Sequence, residues 1–188
     1  DDIDEKVLSS TNILYLTGFL WDTESQKASV RHALEMAENL PVKVALSLSD
    51  PFCVERHHQD FNELIRSRVD LLFCNQEEAF TMMETQVTQE ALAGLSENVE
   101  TVVMTLGNRG SLICNQGQIY YIDPIEVEVV DTTGAGDAYA AGFLYGFSHD
   151  QSIMNCGRIA SVMAGTVIEQ IGPRIETTSM KTLKERLS

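Results

Sequence analysis

Apolar residues follow two alternating rhythms along the chain. Short unbroken runs at 12–16, 42–48, 69–74 and 100–106 read as buried strands, because a strand covered on both faces needs no polar alternation. Between them the apolar positions return at helical spacing. Val30, Ala33, Leu34, Ala37 and Leu40 mark a helix over 23–39, stopped by Pro41. Asp50-Pro51 opens a second helix that runs to residue 68, with Phe52, Phe61, Leu64 and Ile65 expected to face inward. Further helices are expected at 76–84 and 89–95. The pattern then changes. Residues 111–114, 118–122 and 126–130 are short runs parted by turn residues, which reads as a small antiparallel meander. The last third is helical, at 135–147, 152–170 and 178–187.

Strands alternating with helices imply an α/β fold. Its mostly parallel sheet is sandwiched between helices and carries antiparallel strands at one edge. No repeat, low-complexity tract or long linker interrupts residues 1–188, so one domain is expected. A chain of 188 residues can bury a full core without covalent staples.

Charge narrows the partners. The chain has 28 acidic and 13 basic side chains, for a net charge of −15. Such a surface argues against nucleic acid or an anionic membrane, both of which need basic patches. No apolar run reaches membrane-spanning length, and the acidic start lacks the features of a signal peptide, so a cytoplasmic location is expected. A bound nucleotide is still compatible, because a few oriented amides and one metal ion can outweigh the global field locally. Cys53, Cys74, Cys114 and Cys156 are widely spaced with no CxxC, which reads as buried reduced thiols.

The sharpest chemical feature is Val130-Asp131-Thr132-Thr133-Gly134-Ala135-Gly136-Asp137. A strand ends, a glycine-rich turn follows and a small-residue helix begins. The amides of Gly134, Ala135 and Gly136 are expected to point from the helix start and, with its dipole, to make an anion site. Asp137 in the first turn would repel a resting phosphate, yet it could accept the proton of an attacking hydroxyl. There is no GxxxxGK[ST], hence no Walker loop, and Tyr139 stands where a dinucleotide fingerprint needs its third glycine. Asn75-Gln76-Glu77-Glu78, read alone, is a capping box. His57-His58 reads as a solvated helix face, Trp21 as packing, and Met82-Met83 as core filling.

The segment from Asp131 to Asp137 resembles the C-terminal signature of the ribokinase-like (PfkB-type) carbohydrate and nucleoside kinases. Asn75-Gln76-Glu77-Glu78 resembles that family's NxxE motif, and Thr105-Leu106-Gly107-Asn108-Arg109-Gly110 its nucleotide loop. Residues 14–19 and 46–52 are most similar to the adenosine-kinase branch.

The resemblance implies a three-layer α/β/α fold and an ATP-dependent kinase acting on a primary hydroxyl. Adenosine is the expected acceptor, in purine salvage; ribose- or fructose-like sugars are the alternative, and a silent nucleotide-binding module a further one. It implies Asp137 as catalytic base and Gly134, Ala135 and Gly136 as the anion hole. Asn75, Thr105, Gly107, Gly110 and Ser161 are implied to bind the nucleotide, Glu78 to organise Mg²⁺, and Asp131 and Thr133 to hold K⁺ with carbonyls near 167–172. It also implies that this is the C-terminal portion of a longer kinase. The segment before it would supply the first strands, a β lid and the acceptor grip. The 188 residues alone are then expected to be a poor kinase, and an open sheet edge to favour self-association as a homodimer.

Overall fold

The structure, a computed structural model, describes residues 3–175 and 185–186. Its elements in chain order begin with α1 (Glu5–Ser9), β1 (Ile13–Thr17), a 3-10 turn (Gly18–Trp21), α2 (Glu24–Ala37), β2 (Lys43–Ser47) and α3 (Pro51–Ser67). They continue with β3 (Leu71–Asn75), α4 (Gln76–Met83), α5 (Thr88–Ser96), β4 (Thr101–Thr105), a second 3-10 turn (Gly107–Arg109), β5 (Ser111–Asn115) and β6 (Gln118–Ile122). The helices α6 (Ala135–Ser148) and α7 (Ile153–Ile168) follow. The strands form one mixed sheet in the order β1-β2-β3-β4-β5-β6, and the β1–β2 and β2–β3 pairs are parallel. The fold class is therefore α/β, as the alternating pattern implied. The helix expected at 178–187 lies outside the described residues apart from Glu185 and Arg186.

The chain divides into two compact units. The first holds residues 1–104 with 114–117. Its strands β2, β3 and β4 are buried in near-continuous runs, with Leu46, Leu71, Leu72 and Val102 essentially without exposed surface. This is what a parallel strand covered on both faces requires. Trp21 is buried against Phe61, ring edge to ring face, with centroids 5.2 Å apart. All four cysteines are free and buried.

Two expectations fail on α3. Phe52 is 68% exposed, whereas Cys53 and Val54 are fully buried. Position 52 lies nine residues before Phe61, two and a half turns away, so it falls on the opposite face. His57 and His58 are half-buried and bonded rather than solvated: His57 Nε2 is 3.1 Å from an Asp22 carboxylate oxygen, and His58 Nε2 is 3.0 Å from the Met82 carbonyl. A backbone break at His57 (φ −120°, ψ 22°) ends the regular helical spacing there. The short α1, capped by Asp4 accepting from the Lys6 amide, was not expected at all. One turn of helix carries too few apolar positions to show a period.

The second unit holds residues 105–113 and 118–188. Here α6 crosses α7 at glycine contacts. A Cβ on Gly142 would lie 2.8 Å from the Ala160 Cα, and one on Gly146 3.1 Å from the Cys156 Cα. The small residues of α6 beyond its first turn therefore serve helix packing rather than phosphate approach. Strands β5 and β6 are joined by Gln116 and Gly117, both at positive φ, the two-residue turn that suits a twisted hairpin. The third strand expected at 126–130 does not form. No strand among the described residues pairs with that segment, and the Val130 amide bonds the Ile168 carbonyl of α7 at 2.8 Å instead.

Candidate functional site

The second unit contains a cleft of about 660 Å³. The loop after β4 forms one wall. It is closed by the Leu106 amide donating to the Gly110 carbonyl at 2.8 Å, with Gly107 at φ 63° and Gly110 at φ 81°. Gly110 has no substitute, since a Cβ there would fall on the Ile122 carbonyl. The start of α6 forms a second wall, and α7 with the extended 124–129 segment a third.

Thr105, Gly107, Gly110, Ala135, Gly136 and Ser161 all line this cleft. These are residues the sequence nominated from three separate stretches. Asp137 is exposed on the first turn of α6, one residue beyond the lining. The first α-helical bond is made by the Ala138 amide to the Gly134 carbonyl at 2.9 Å, so the amides before it have no α-helical acceptor. One of the three nominated amides is nevertheless engaged: Ala135 N–H donates to the Thr132 carbonyl at 3.1 Å. Gly134 sits at φ 79° against Pro173 and shapes the turn. Gly136 differs from the other glycines of α6. A Cβ added there would meet no atom of the described residues within 4 Å, so nothing in their packing calls for glycine.

The apolar face of the cleft comes from Ile125, Val127, Val129, Ala164 and Ile168. Sequence reasoning missed this wall. Its signal is the alternation of Ile125, Val127 and Val129, which overlaps the strand expected at 126–130; these side chains line the cavity together with Pro124 and Glu126. A Cβ on Gly165 would collide with Ile125, so that glycine lets the segment lie against α7. Tyr139 was also missed. Its buried hydroxyl is 2.6 Å from Ser111 Oγ and also bonds Ser161, so the Ser161 hydroxyl that borders the cleft is shared with this network.

Asp131 and Thr133 stand at the edge of the turn. Asp131 Oδ1 accepts from the Thr133 amide and Oδ2 from the Gly172 amide, both at 2.9 Å. The Thr133 side chain and amide, with the Gly172 amide, hold the Asp131 carboxyl below the usual carboxylate range. The Ile168 carbonyl already accepts from the Val130 and Asp131 amides. These contacts tie 131–133 to 168–172.

Asn75 and Glu78 belong to the first unit, at the end of β3 and the start of α4. They form a complete capping box. Asn75 Oδ1 accepts from the Glu78 amide at 2.8 Å, and Glu78 Oε2 accepts from the Asn75 amide at 3.0 Å. Asn75 Nδ2 donates to Glu78 Oε1 at 2.6 Å. Both Glu78 oxygens are thus engaged, which leaves a metal ion to be met through water, the manner of binding that suits Mg²⁺. Glu78 is only 4% exposed, and burial pushes its carboxyl up to about 7 against the lowering effect of the Asn75 amide; Asp50 and Glu77 add to the rise. A nearby divalent cation would favour the ionised form, so the donor set fits the ion.

A helix start whose first amides lack α-helical acceptors, beside an exposed carboxylate and a cleft with an apolar wall, has the chemistry to receive an anion such as a phosphoryl group. The chain belongs to the pfkB family of carbohydrate kinases, which it matches over residues 1–180, so its kin are phosphotransferases with a hydroxyl acceptor. It superposes on the adenosine kinase of Sinorhizobium meliloti with a TM-score of 0.93 at 36% identity, covering 98% of this chain and 57% of that one. A protein of Rhizobium etli CFN 42 described as a probable sugar kinase gives 0.94 at 35% identity, with 98% and 56% covered. A protein of Archaeoglobus fulgidus described as an uncharacterized sugar kinase is 28% identical over 174 residues, 93% of this chain and 68% of its own length. The chain thus spans somewhat over half the length of the two solved relatives.

Proposed function

We propose that this chain carries the nucleotide-binding and catalytic part of an ATP-dependent kinase, both units belonging to one kinase domain. The observation that carries the reading is the exposed Asp137 on the first turn of α6, next to amides that no helical carbonyl engages and a glycine that packing does not require. The acceptor's primary hydroxyl attacks the γ-phosphorus in line. Its proton passes to Asp137, while the helix-start amides take up charge developing on the transferred group. The base and ribose lie along the apolar wall, with Thr105, Gly107 and Gly110 against the nucleotide. Asn75 and Glu78 would hold Mg²⁺ through its water shell, and the ion would offset phosphate charge. Asp131 and Thr133 border a K⁺ position.

Adenosine, through its 5′-hydroxyl, is the acceptor we favour, on the identity to the Sinorhizobium adenosine kinase. A ribose- or fructose-like sugar is the second reading, favoured by the equal likeness to a sugar kinase. A coupled ADP-release assay with adenosine, inosine, ribose and fructose, each with and without K⁺, separates them. Adenosine-dependent release is the expected result; release with sugars alone moves the substrate to the second reading. A K⁺-independent rate removes the cation position.

Gly136→Ala tests the anion hole. Because the position is helical and open, alanine should leave stability unchanged or raise it by about 0.5–1 kcal/mol. ATP affinity should nevertheless fall, since the new methyl occupies the space a phosphate needs. Thermal denaturation and ATP titration of the same protein check both halves. A variant that binds ATP as well as the parent would remove Gly136 from the site.

A further inference from the structure

One cluster in the first unit, apart from the capping box, brings together three metal-ligating side chains of different chemistry. Asp22 closes the 3-10 turn after β1, and Cys53 and His57 lie one turn apart on α3. A carboxylate oxygen of Asp22, Sγ of Cys53 and a ring nitrogen of His57 all lie within 4.8 Å of one another. The helix is broken where this happens: His57 leaves helical geometry, with neither proline nor glycine at that point of α3 to explain it. The floor of the cluster is dry. Cys53 and Phe61 have no exposed surface, and the rings of Trp21 and His57 both meet Phe61 edge-on. Its mouth is the Asp22 side chain, 39% exposed.

Asp22 Oδ1 accepts from Arg56 Nη2 at 2.9 Å and faces His57 Nε2, while Oδ2 has no hydrogen bond among the described residues. A surface ion pair needs only Arg56 and Asp22; it requires neither a broken helix nor a buried thiol beside it.

We infer that Asp22, Cys53 and His57 form a three-ligand site for a divalent transition metal, zinc by the chemistry of the set. Thiolate and imidazole select zinc over Mg²⁺ and Ca²⁺, which prefer all-oxygen shells, and three protein ligands leave a fourth position for water. On binding, the Cys53 thiol releases its proton to solvent and its sulfur donates to the metal; His57 coordinates as the neutral ring. Thiolate and carboxylate offset the two positive charges. Arg56 remains on Asp22 Oδ1 and orients the carboxylate. The occupied site staples the 3-10 turn to α3. That joint is already tied from its other end, where Ser49 Oγ accepts from the Gly18 amide at 2.8 Å and lies 3.1 Å from Thr17 Oγ1. Phosphoryl transfer does not use this metal.

The test is to strip the protein with EDTA, remove the chelator, and titrate Zn²⁺ by calorimetry and Co²⁺ by absorbance. One equivalent should bind, the cobalt form should show a tetrahedral spectrum with a thiolate-to-cobalt charge-transfer band, and saturating Zn²⁺ should raise Tm. Cys53→Ser should abolish that band. His57→Gln and Asp22→Asn should each weaken binding by at least ~10-fold. If Cys53→Ser does not fold, the two less buried variants carry the test. Absence of the charge-transfer band in the unmodified protein overturns the inference, as does a band and an affinity that survive all three substitutions.

Discussion

Asp137→Asn is expected to slow phosphoryl transfer by about 10²–10⁴-fold while ATP binding persists. Asparagine keeps the shape of the side chain and its place in the first turn of α6, but its amide cannot take up the proton of an attacking hydroxyl. Removing a negative charge from beside the helix-start amides should leave ATP held as tightly as before or more tightly. The change is on the surface and adds no atoms to the core, so stability should fall by no more than the ~0.3–1 kcal/mol that a first-turn carboxylate gains from the helix dipole. Single-turnover ADP release measures the first effect and ATP titration the second. A rate within tenfold of the parent means that Asp137 is only a helix-start carboxylate favoured by the dipole. Loss of ATP binding together with rate means that it holds the nucleotide and does not act as a base.

Glu78 should make the metal-free protein less stable as pH rises through the range around 5 to 7. Its carboxyl is raised from 4.5 to about 7 in the folded chain, chiefly by burial. The folded state therefore binds more protons than the unfolded state between those values, and unfolding free energy falls with pH there. The stabilisation from a neutral Glu78 is fully present below pH 4.5 and is lost as pH rises through 7. A displacement of that size corresponds to on the order of 3 kcal/mol. Glu78→Gln should flatten the dependence. It keeps one oxygen to accept from the Asn75 amide but gives up the second acceptor that Asn75 Nδ2 uses. Urea denaturation of both proteins in EDTA, at several pH values, reads the difference of slopes. Equal slopes would show that Glu78 titrates at its ordinary value. Adding Mg²⁺ should restore stability near pH 7 to the parent and not to Glu78→Gln, if the ion's water shell rests on this carboxylate.

Most of the fold was legible because its signals are local. Buried runs such as 69–74 and 100–106 gave β3 and β4 with bounds shifted by one or two residues, since a doubly covered strand must be apolar throughout. Asn75 and Glu78 were readable both as a cap and as a kinase motif, and the capping box is present atom for atom. What failed depended on neighbours distant in sequence. The alternation at 125, 127 and 129 carries the period of a strand, but among the described residues no strand pairs with it, and with the bond from Val130 to Ile168 it becomes a cleft wall. The His57-His58 pair looked polar and therefore solvated. The break in α3 and the approach of Asp22, thirty-five positions away, half-bury His57 and give it a partner.

By itself the sequence determined the α/β class, the kinase family and the residues at the glycine-rich helix start, because backbone reach, helix period and the need for small residues near a phosphate are properties of short segments. Only the tertiary structure decided the rest. It separated Gly136, which packing does not need, from Gly142 and Gly146, which helix crossing does need. It assigned the Ala135 amide to Thr132 and the Ser161 hydroxyl to Tyr139. It also brought side-chain atoms of Asp22, Cys53 and His57 within 4.8 Å of one another. Each of these depends on which atoms meet across elements, and that is settled by packing the whole chain, not by the order of residues along it.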